Sequence, residues 1–299
     1  MIKIIKNING FLDRFLVDKV AKYVVYVFAV ISVLVPIIII GFVVINGLSI
    51  FGELDIGEFL FGQEWRPHED QYGAFRIILG SILVTLLSMA IAIVIAIGCA
   101  ILLAEIAPTV MRSFMRPLVE LLAGIPSVVY GLLGIILLVP LIGRLGDVSG
   151  FSILAAGLVL ALMVLPTIIS ISEDAIRAVP STYNQGALAL GCSRWQSLWH
   201  VVIPAAKSGI IAAVTLGAGR AIGETMAVMM VIGNSIGAIT SIFSPARTLP
   251  SSLALELQDA TDLHRTALFG LAMVLMLLIL IINSAGTVFF KRKARINHE

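Results

Sequence analysis

The sequence contains few charged residues. Only 13% of its 299 residues are Asp, Glu, Lys or Arg, whereas soluble domains have about a quarter. Hydrophobic residues make up 59% of the chain, and the mean hydropathy is +1.07. This composition excludes an ordinary soluble domain and predicts an integral membrane protein. The net charge of +2 gives no indication of a nucleic-acid partner.

Several chemical signatures are also absent. The two cysteines, Cys99 in an apolar run and Cys192 in a polar loop, do not form a disulfide framework. No G-x-x-x-x-G-K-[ST], H-E-x-x-H or G-x-S-x-G motif occurs. A metal site needs clustered ligands, and the four histidines are scattered: His68, His200, His264 and His298. We therefore expect no catalytic residue, no metal and no bound cofactor in this chain.

Long apolar stretches are abundant instead. Six are near the roughly 20 residues that a helix needs to cross a bilayer: 23–46, 77–104, 121–142, 151–172, 208–233 and 266–290. The first is too long for the apolar core of a signal peptide, and no small-x-small cleavage site follows it. We predict an all-α polytopic membrane protein with six transmembrane helices, whose transmembrane domain covers residues 23–290.

The charges of the loops predict how the chain is oriented. Cytoplasmic segments of membrane proteins are rich in Lys and Arg, and both the N-terminal segment 1–22 and the tail 291–299 are basic. Both termini are therefore expected in the cytoplasm. The acidic loop 47–76 and the loop 234–265, in which "LPSSLALELQDA" suggests a surface helix, are expected outside the membrane, and the loop 173–207 inside.

The loop 173–207 resembles a helix–turn–helix hairpin. Each helix is predicted to begin with a capping box, in which Ser or Thr precedes Gln by three residues: Thr182 with Gln185, and Ser193 with Gln196. Gly191 suits the C′ position at the end of the first helix. Trp195, Leu198 and Trp199 are spaced to share one face of the second helix. Such a hairpin either lies on the lipid surface or docks a soluble partner.

The docking interpretation is supported by a resemblance. Permease subunits of ABC importers carry the pattern E-A-A-x3-G-x9-I-x-L-P at this place, and "QGALALG", nine residues and "VVIP" match its spacing. The matching positions are Gln185, Gly186, Ala187, Gly191, Val201, Ile203 and Pro204. Gln185 and Gly186 depart from the Glu and Ala of the pattern. The resemblance implies a type I ABC importer permease architecture and a coupling helix held in a cleft of an ATPase subunit.

Further stretches resemble the PstC-type permeases of phosphate importers: "FGQEWRP", "ELLAGIPSVVYGLLG", "GRAIGETMAVMMVIGN" and "RTLPSSLA". The resemblance implies a multi-pass protein of the bacterial cytoplasmic membrane. Its implied partners are a homologous PstA-type permease, two P-loop ATPase subunits that bind ATP and Mg²⁺, an external phosphate-binding protein, and phosphate. The alternatives are a permease for molybdate or sulfate, a membrane scaffold for phosphate sensing, and a self-gated channel.

Two charges interrupt the fifth apolar stretch. Arg220 and Glu224 lie within "GRAIGETMAV", and a charge at mid-bilayer costs about 2.5–3.5 kcal/mol. Four residues apart on a helix, they are predicted to share one face, beside Thr225. Gly219 and Gly223 form a G-x-x-x-G motif that permits close helix packing.

This motif has two interpretations. Either Arg220 and Glu224 pair and fix the helix packing, or Arg220 is a transient ligand for phosphate, because its planar fork suits oxyanions. In the second case Glu224 offsets the charge of Arg220, or accepts a proton or hydrogen bond from the anion. The same pair can serve both roles if it opens as phosphate passes.

Two other places are candidates. Gly124 and Pro126 are predicted to break a helix near the start of the third span, where Ser127 and Tyr130 offer hydroxyls. A packing kink and a role in lining the pathway are both open for these hydroxyls. In the external loop, "WRP" at 65–67 is expected to meet either a binding protein or the membrane interface.

Overall fold

The computed structural model describes residues 2–146 and 149–296, with side chains described in 19–145 and 149–286. Six helical segments in the described residues are long and apolar enough to cross a membrane: Lys19–Gly52, Phe75–Ile106, Ser127–Leu145, Ile153–Arg177, Arg194–Gly223 and Asp262–Gly286. The predicted number of spans is confirmed. The basic side chains of residues 1–18 and 287–299, on which the predicted orientation mainly depends, lie outside the described side chains.

A small subdomain separates the first two spans. It lies between helix α1 (Ile2–Leu48) and helix α3 (Phe75–Ile101). Helix α3 continues into a π-helical turn at Leu102–Ile106. The elements in chain order are α1 (Ile2–Leu48), α2 (Ile56–Phe61), strands β1 (Trp65–Arg66) and β2 (Gln71–Tyr72), and α3 (Phe75–Ile101). The two strands pair antiparallel, and the Asp55 carboxylate caps α2 by accepting from the amide of Gly57 at 2.8 Å.

The third span is broken, as predicted. Helix α4 (Thr109–Gly124) ends where Ile125 becomes extended, and helix α5 (Ser127–Leu133) begins directly after Pro126. Proline disfavours the α conformation for the residue before it and lacks the amide that a helix interior needs. A π-helical turn (Gly134–Leu138) and helix α6 (Val139–Gly146) complete this segment. The span therefore starts at Ser127 rather than at the predicted residue 121.

The fourth and fifth spans flank the hairpin of the loop 173–207. Their elements are α7 (Ile153–Arg177), α8 (Ser181–Ala189), α9 (Arg194–Ser197), a π-helical turn (Leu198–Val202) and α10 (Ile203–Gly223). The turn lies directly before Pro204, whose ring would clash with the carbonyl four residues earlier in a regular helix. A π-helical turn relieves that clash, so α9 and α10 form one continuous segment.

The fifth helix ends ten residues earlier than its predicted end at 233. Helix α10 stops at Gly223, Glu224 is extended with φ −69° and ψ 126°, and a short helix, α11 (Met226–Val231), follows. Helix α12 (Leu249–Glu256) and the last helix, α13 (Asp262–Ile296), complete the chain. Glycine is a weak helix former, and α10 stops at Gly223.

The main core surrounds α7. Its fully buried side chains include Leu160, Val164 and Ile168, and α3 and α10 pack against it. A second apolar cluster joins the small subdomain between the first two spans to α13 through Phe59, Ile77 and other side chains. This arrangement places the end of α10 against the middle of α7.

The predicted surface helix in "LPSSLALELQDA" is partly wrong. Helix α12 exists, but the residues of its first turn are buried. Thr248 caps it with a capping box, and the Leu249 amide donates to the Ser81 hydroxyl of α3 at 2.7 Å. The hydroxyl-rich sequence therefore anchors the first turn of the helix within the protein, while Ala254 and Leu255 in its second half are exposed.

Candidate functional site

The break between α10 and α11 separates the two charges of the fifth span. Among the described residues, no ion pair joins Arg220 to Glu224. The prediction that they share one helix face is wrong, because the helix ends between them and the backbone is extended at Glu224. Each side chain binds a neutral group instead.

Arg220 contacts a residue that the sequence did not single out. Its Nη1 donates to the Thr167 hydroxyl of α7 at 3.1 Å, and Arg220 is exposed while Thr167 is half-buried. The rest of the guanidinium makes no hydrogen bond or ion pair within the described part of the chain. The available signal for Thr167 was its place after Pro166 inside an apolar span. Most of the donors of Arg220 are therefore available to a ligand.

Glu224 and Thr225 stabilise the break. The half-buried Glu224 carboxylate accepts from the Ala227 amide at 3.1 Å, one of the amides that the first turn of α11 leaves without a helical partner. The Thr225 hydroxyl donates to the Gly223 carbonyl at 3.3 Å. These bonds replace the helical hydrogen bonds that a continuous span would have made, and they leave one Glu224 oxygen without a protein donor among the described residues.

Tyr130 spans the break of the third span. Its buried hydroxyl donates to the Leu122 carbonyl of α4 at 2.8 Å, a second bond to an oxygen that also accepts from the Ile125 amide at 3.3 Å. Helix α5, which begins at the half-buried Ser127, packs against α11. The two broken helices are therefore neighbours, and the contact of Tyr130 favours the kink interpretation for its hydroxyl.

The G-x-x-x-G motif packs at one glycine. A Cβ at Gly219 would lie 3.3 Å from the Asn283 side chain of α13, whereas a Cβ at Gly223 would meet nothing within 4 Å among the described residues. The prediction of close packing thus agrees with the surroundings of Gly219 and is wrong for Gly223 within this chain.

The first helix of the hairpin, α8, ends as predicted but begins differently. Gly191 has φ +89° at the C′ position, and two bonds complete a Schellman motif: Gly191 amide to Leu188 carbonyl at 3.0 Å, and Cys192 amide to Ala187 carbonyl at 3.1 Å. The capping box of Thr182 with Gln185 is wrong, because Pro180 is the N-cap and Thr182 therefore lies inside the first turn.

The second helix begins with the predicted capping box. The Gln196 amide donates to the Ser193 hydroxyl at 3.2 Å, and the Ser193 amide donates to the Gln196 side chain at 2.8 Å. The Ser197 hydroxyl donates to Asn184 at 2.7 Å and joins the two helices. The hairpin is thus held by its own hydrogen bonds rather than by a partner.

An exposed apolar surface covers the hairpin. Leu190 is 88% exposed, and the rings of Trp195 and Trp199 meet edge to face at 5.6 Å. Leu198 lines the same groove as Trp195, as their predicted common face requires, but it is buried whereas both tryptophans are exposed. Large exposed apolar patches mark binding surfaces.

The residues that match the importer pattern divide into two groups. Gln185, Gly186, Gly191 and Pro204 are exposed, whereas Ala187 is buried and Val201 and Ile203 are half-buried. The exposed group is available to a partner, and the inner group holds the hairpin on the spans. A groove of about 560 Å³ separates the hairpin from Glu105 and Ile106 at the end of α3.

Glu256, the last residue of α12, is the centre of a polar cluster that joins α12 to the small subdomain between the first two spans. Its carboxylate accepts from the Trp65 indole at 2.9 Å, lies 3.0 Å from His264 Nε2, and pairs with Arg247. Burial opposes ionisation, but the hydrogen bonds from Trp65 and His264 and the charge of Arg247 outweigh it and lower the pKa of Glu256.

Trp65 is only 2% exposed, so the expectation that it meets a partner or the membrane interface is wrong. Arg66 remains exposed and pairs with Glu64 and Glu69. Pro67 lines a cavity of about 590 Å³ beside Glu256. Among the described residues, no three His, Cys, Asp or Glu side chains come together as metal ligands would.

Curated relatives cover most of the chain. It is 36% identical over 254 residues to the phosphate transport system permease protein PstC of Pasteurella multocida, covering 78% of this chain and 79% of that protein. The PstC of Xylella fastidiosa is 39% identical over 239 residues, with 73% and 74% covered. The probable ABC transporter permease protein YqgH of Bacillus subtilis is 38% identical, with 89% and 88% covered.

Solved structures share the fold. The MetNI methionine ABC transporter in an inward-facing conformation matches with a TM-score of 0.60 at 18% identity, covering 77% of this chain and 99% of that chain. An amino acid ABC transporter matches with a TM-score of 0.53 at 16% identity, covering 72% and 92%. The predicted type I importer permease architecture is confirmed.

A family model matches residues 92–295, from the second span through the sixth. It therefore includes the hairpin, both broken helices and the last span. The chain belongs to the family of binding-protein-dependent transport system inner membrane components.

Proposed function

We propose that this chain is the permease subunit of an ATP-driven phosphate importer and forms half of its translocation pathway. The observation that carries the proposal is the identity of 35–39% to proteins named PstC over about three quarters of the chain. The charged break in the fifth span supports the proposal, because the guanidinium of Arg220 suits an anion. We propose that both termini lie in the cytoplasm.

The pathway is proposed to run past the break between α10 and α11. Non-helical backbone at membrane depth is tolerated where protein buries it or water fills a cavity, and broken helices often form substrate sites in transporters. Arg220 has five N–H donors, of which one binds Thr167. We assign the substrate contact to Arg220, with Thr225, Ser127 and Tyr130 nearby.

Glu224 is proposed to keep this contact weak. A transport site must bind its ion well enough to admit it and weakly enough to release it. The Glu224 carboxylate is held near the break by the Ala227 amide, so its charge opposes a phosphate dianion on Arg220. The oxygens of the anion would then replace the Thr167 hydroxyl as the acceptor of the Arg220 hydrogen bond. The anion could later leave Arg220 without being trapped.

The cytoplasmic hairpin is proposed to dock into an ATPase subunit. Its internal hydrogen bonds make it rigid, and its exposed apolar surface fits a cleft. Two partner ATPase subunits bind the ATP and Mg²⁺, a PstA-type permease supplies the other half of the pathway, and an external binding protein delivers phosphate. This chain hydrolyses nothing.

Uptake into proteoliposomes tests the proposal. The complete complex, with the binding protein supplied on its external side, should take up labelled phosphate only when ATP reaches the ATPases. Excess unlabelled phosphate should abolish the signal, whereas molybdate and sulfate should not. A complex with an ATPase variant that binds but does not hydrolyse ATP is the control. Phosphate uptake that resists excess phosphate and is blocked by molybdate or sulfate would contradict the proposal.

A further inference from the structure

Two arginines attach α4 to its neighbours on the side of the cytoplasmic hairpin. Arg112 donates to the Leu103 and Ala104 carbonyls at 2.7 and 2.8 Å, within the π-helical turn that ends the second span. Arg116, one turn later, points to α7. Helix α4 is therefore held between the second and the fourth spans.

Arg116 is the centre of a cluster of ion pairs. It lies 3.3 Å from Glu120 on its own helix and 3.4 Å and 4.0 Å from Asp174 and Glu173 at the end of α7. Arg177 approaches Glu173 at 3.1 Å. Glu120 and Asp174 are exposed, but Glu173 is only 2% exposed.

The burial of Glu173 makes it unfavourable to separate α4 from the end of α7. A buried carboxylate that loses one of its cationic partners is less well compensated for its desolvation, which is unfavourable. Moving α4 away from α7 would withdraw Arg116 from Glu173 and Asp174 and leave Arg177 as the one cation beside the buried carboxylate among the described residues. The cluster therefore favours movement of α4 and the end of α7 as one body.

This body connects the hairpin with the broken helices. Helix α7 ends at Arg177, shortly before α8 begins at Ser181. Helix α4 leads to the break at Ile125, where Tyr130 ties α5 back to α4, and α5 packs on α11. A displacement of the hairpin thus has a continuous path of packed and charged contacts to the residues after Glu224.

We infer that Arg116 is a positioning residue that ties movement of the cytoplasmic hairpin to movement of the broken third span. The inference rests on the proposed function for the hairpin. Coupling between the hairpin and the broken third span requires an element that takes up two positions, and residues that merely lie between them are not enough. The body formed by α4 and the end of α7 is that element, and it moves relative to the membrane without separating internally.

Arg116→Gln in the complete complex provides the functional test. Phosphate uptake per ATP hydrolysed should fall at least about fivefold, the lower end of typical coupling free energies, while ATP hydrolysis and complex assembly persist. Arg116→Lys should recover most of the ratio. Arg144→Gln is the matched control, since Arg144 is exposed and makes no ion pair within the described residues. An unchanged ratio in Arg116→Gln would overturn the inference.

A distance measurement tests the inference without relying on phosphate. Spin labels at Val110, which is 82% exposed, and at the exposed Ala178 report the separation of α4 and α7, on a background with both cysteines replaced by serine. Pulsed electron resonance should give the same single distance with and without trapped ATP, and a second distance in Arg116→Gln. A wild-type distance that changes with ATP would overturn the inference, even if the transported substrate proves not to be phosphate.

Discussion

Two pairs of Arg and Glu in this protein behave in opposite ways. Arg247 and Glu256, nine residues apart, meet directly, and Glu256 also binds Trp65 and His264. Arg220 and Glu224, at the spacing that favours pairing on a helix, bind a hydroxyl and a backbone amide instead. The ion pair of Arg247 and Glu256 holds parts of the fold together, whereas Arg220 and Glu224, which have neutral partners, remain available for a ligand.

Replacing each glutamate by glutamine should expose this difference most strongly. Glu256→Gln removes the charge opposite the mostly buried Arg247, and breaking such a pair costs about 3–5 kcal/mol. Glu224→Gln keeps an oxygen that accepts from the Ala227 amide, so the free energy of unfolding should change by less than about 1 kcal/mol. Thermal unfolding of the two purified variants measures both effects, and equal losses would contradict the distinction.

A smaller effect should follow from pH. Because the pKa of Glu256 is lowered in the folded protein, its stabilising contribution is present above the unfolded pKa of about 4.3. The contribution is lost as the pH falls through the lower, folded value. The difference in unfolding temperature between wild type and Glu256→Gln should therefore shrink below about pH 4. A difference that grows on acidification would show that Glu256 is not held ionised by its neighbours.

Much of the fold could be predicted because its signals are local. Six apolar stretches determined the spans, Pro126 determined the break in the third span, and Gly191 and Ser193 determined the hairpin ends. Each prediction needs only a few neighbouring residues. The family pattern in the hairpin could be recognised for the same reason.

The remaining features depend on contacts between distant residues. Nothing in "GRAIGETMAV" forbids a continuous helix. The break is stabilised by the Glu224–Ala227 bond and by the packing of α11 on α5, where a Cβ at Gly131 would clash with Met230. The bond from Trp65 to Glu256 joins residues 191 positions apart, and Arg220 meets Thr167 53 positions away. Local spacing carries no signal for such pairs.

Phosphate uptake by the Arg220→Gln complex tests the central claim most directly. Hydrogen bonds to charged groups contribute about 1.5–3 kcal/mol, so uptake should fall at least about tenfold while the complex still assembles and hydrolyses ATP. Thr167→Val, which removes the neutral partner and keeps the charge, should retain most of the uptake. Wild-type uptake in an assembled Arg220→Gln complex would show that Arg220 is structural and that the pathway lies elsewhere.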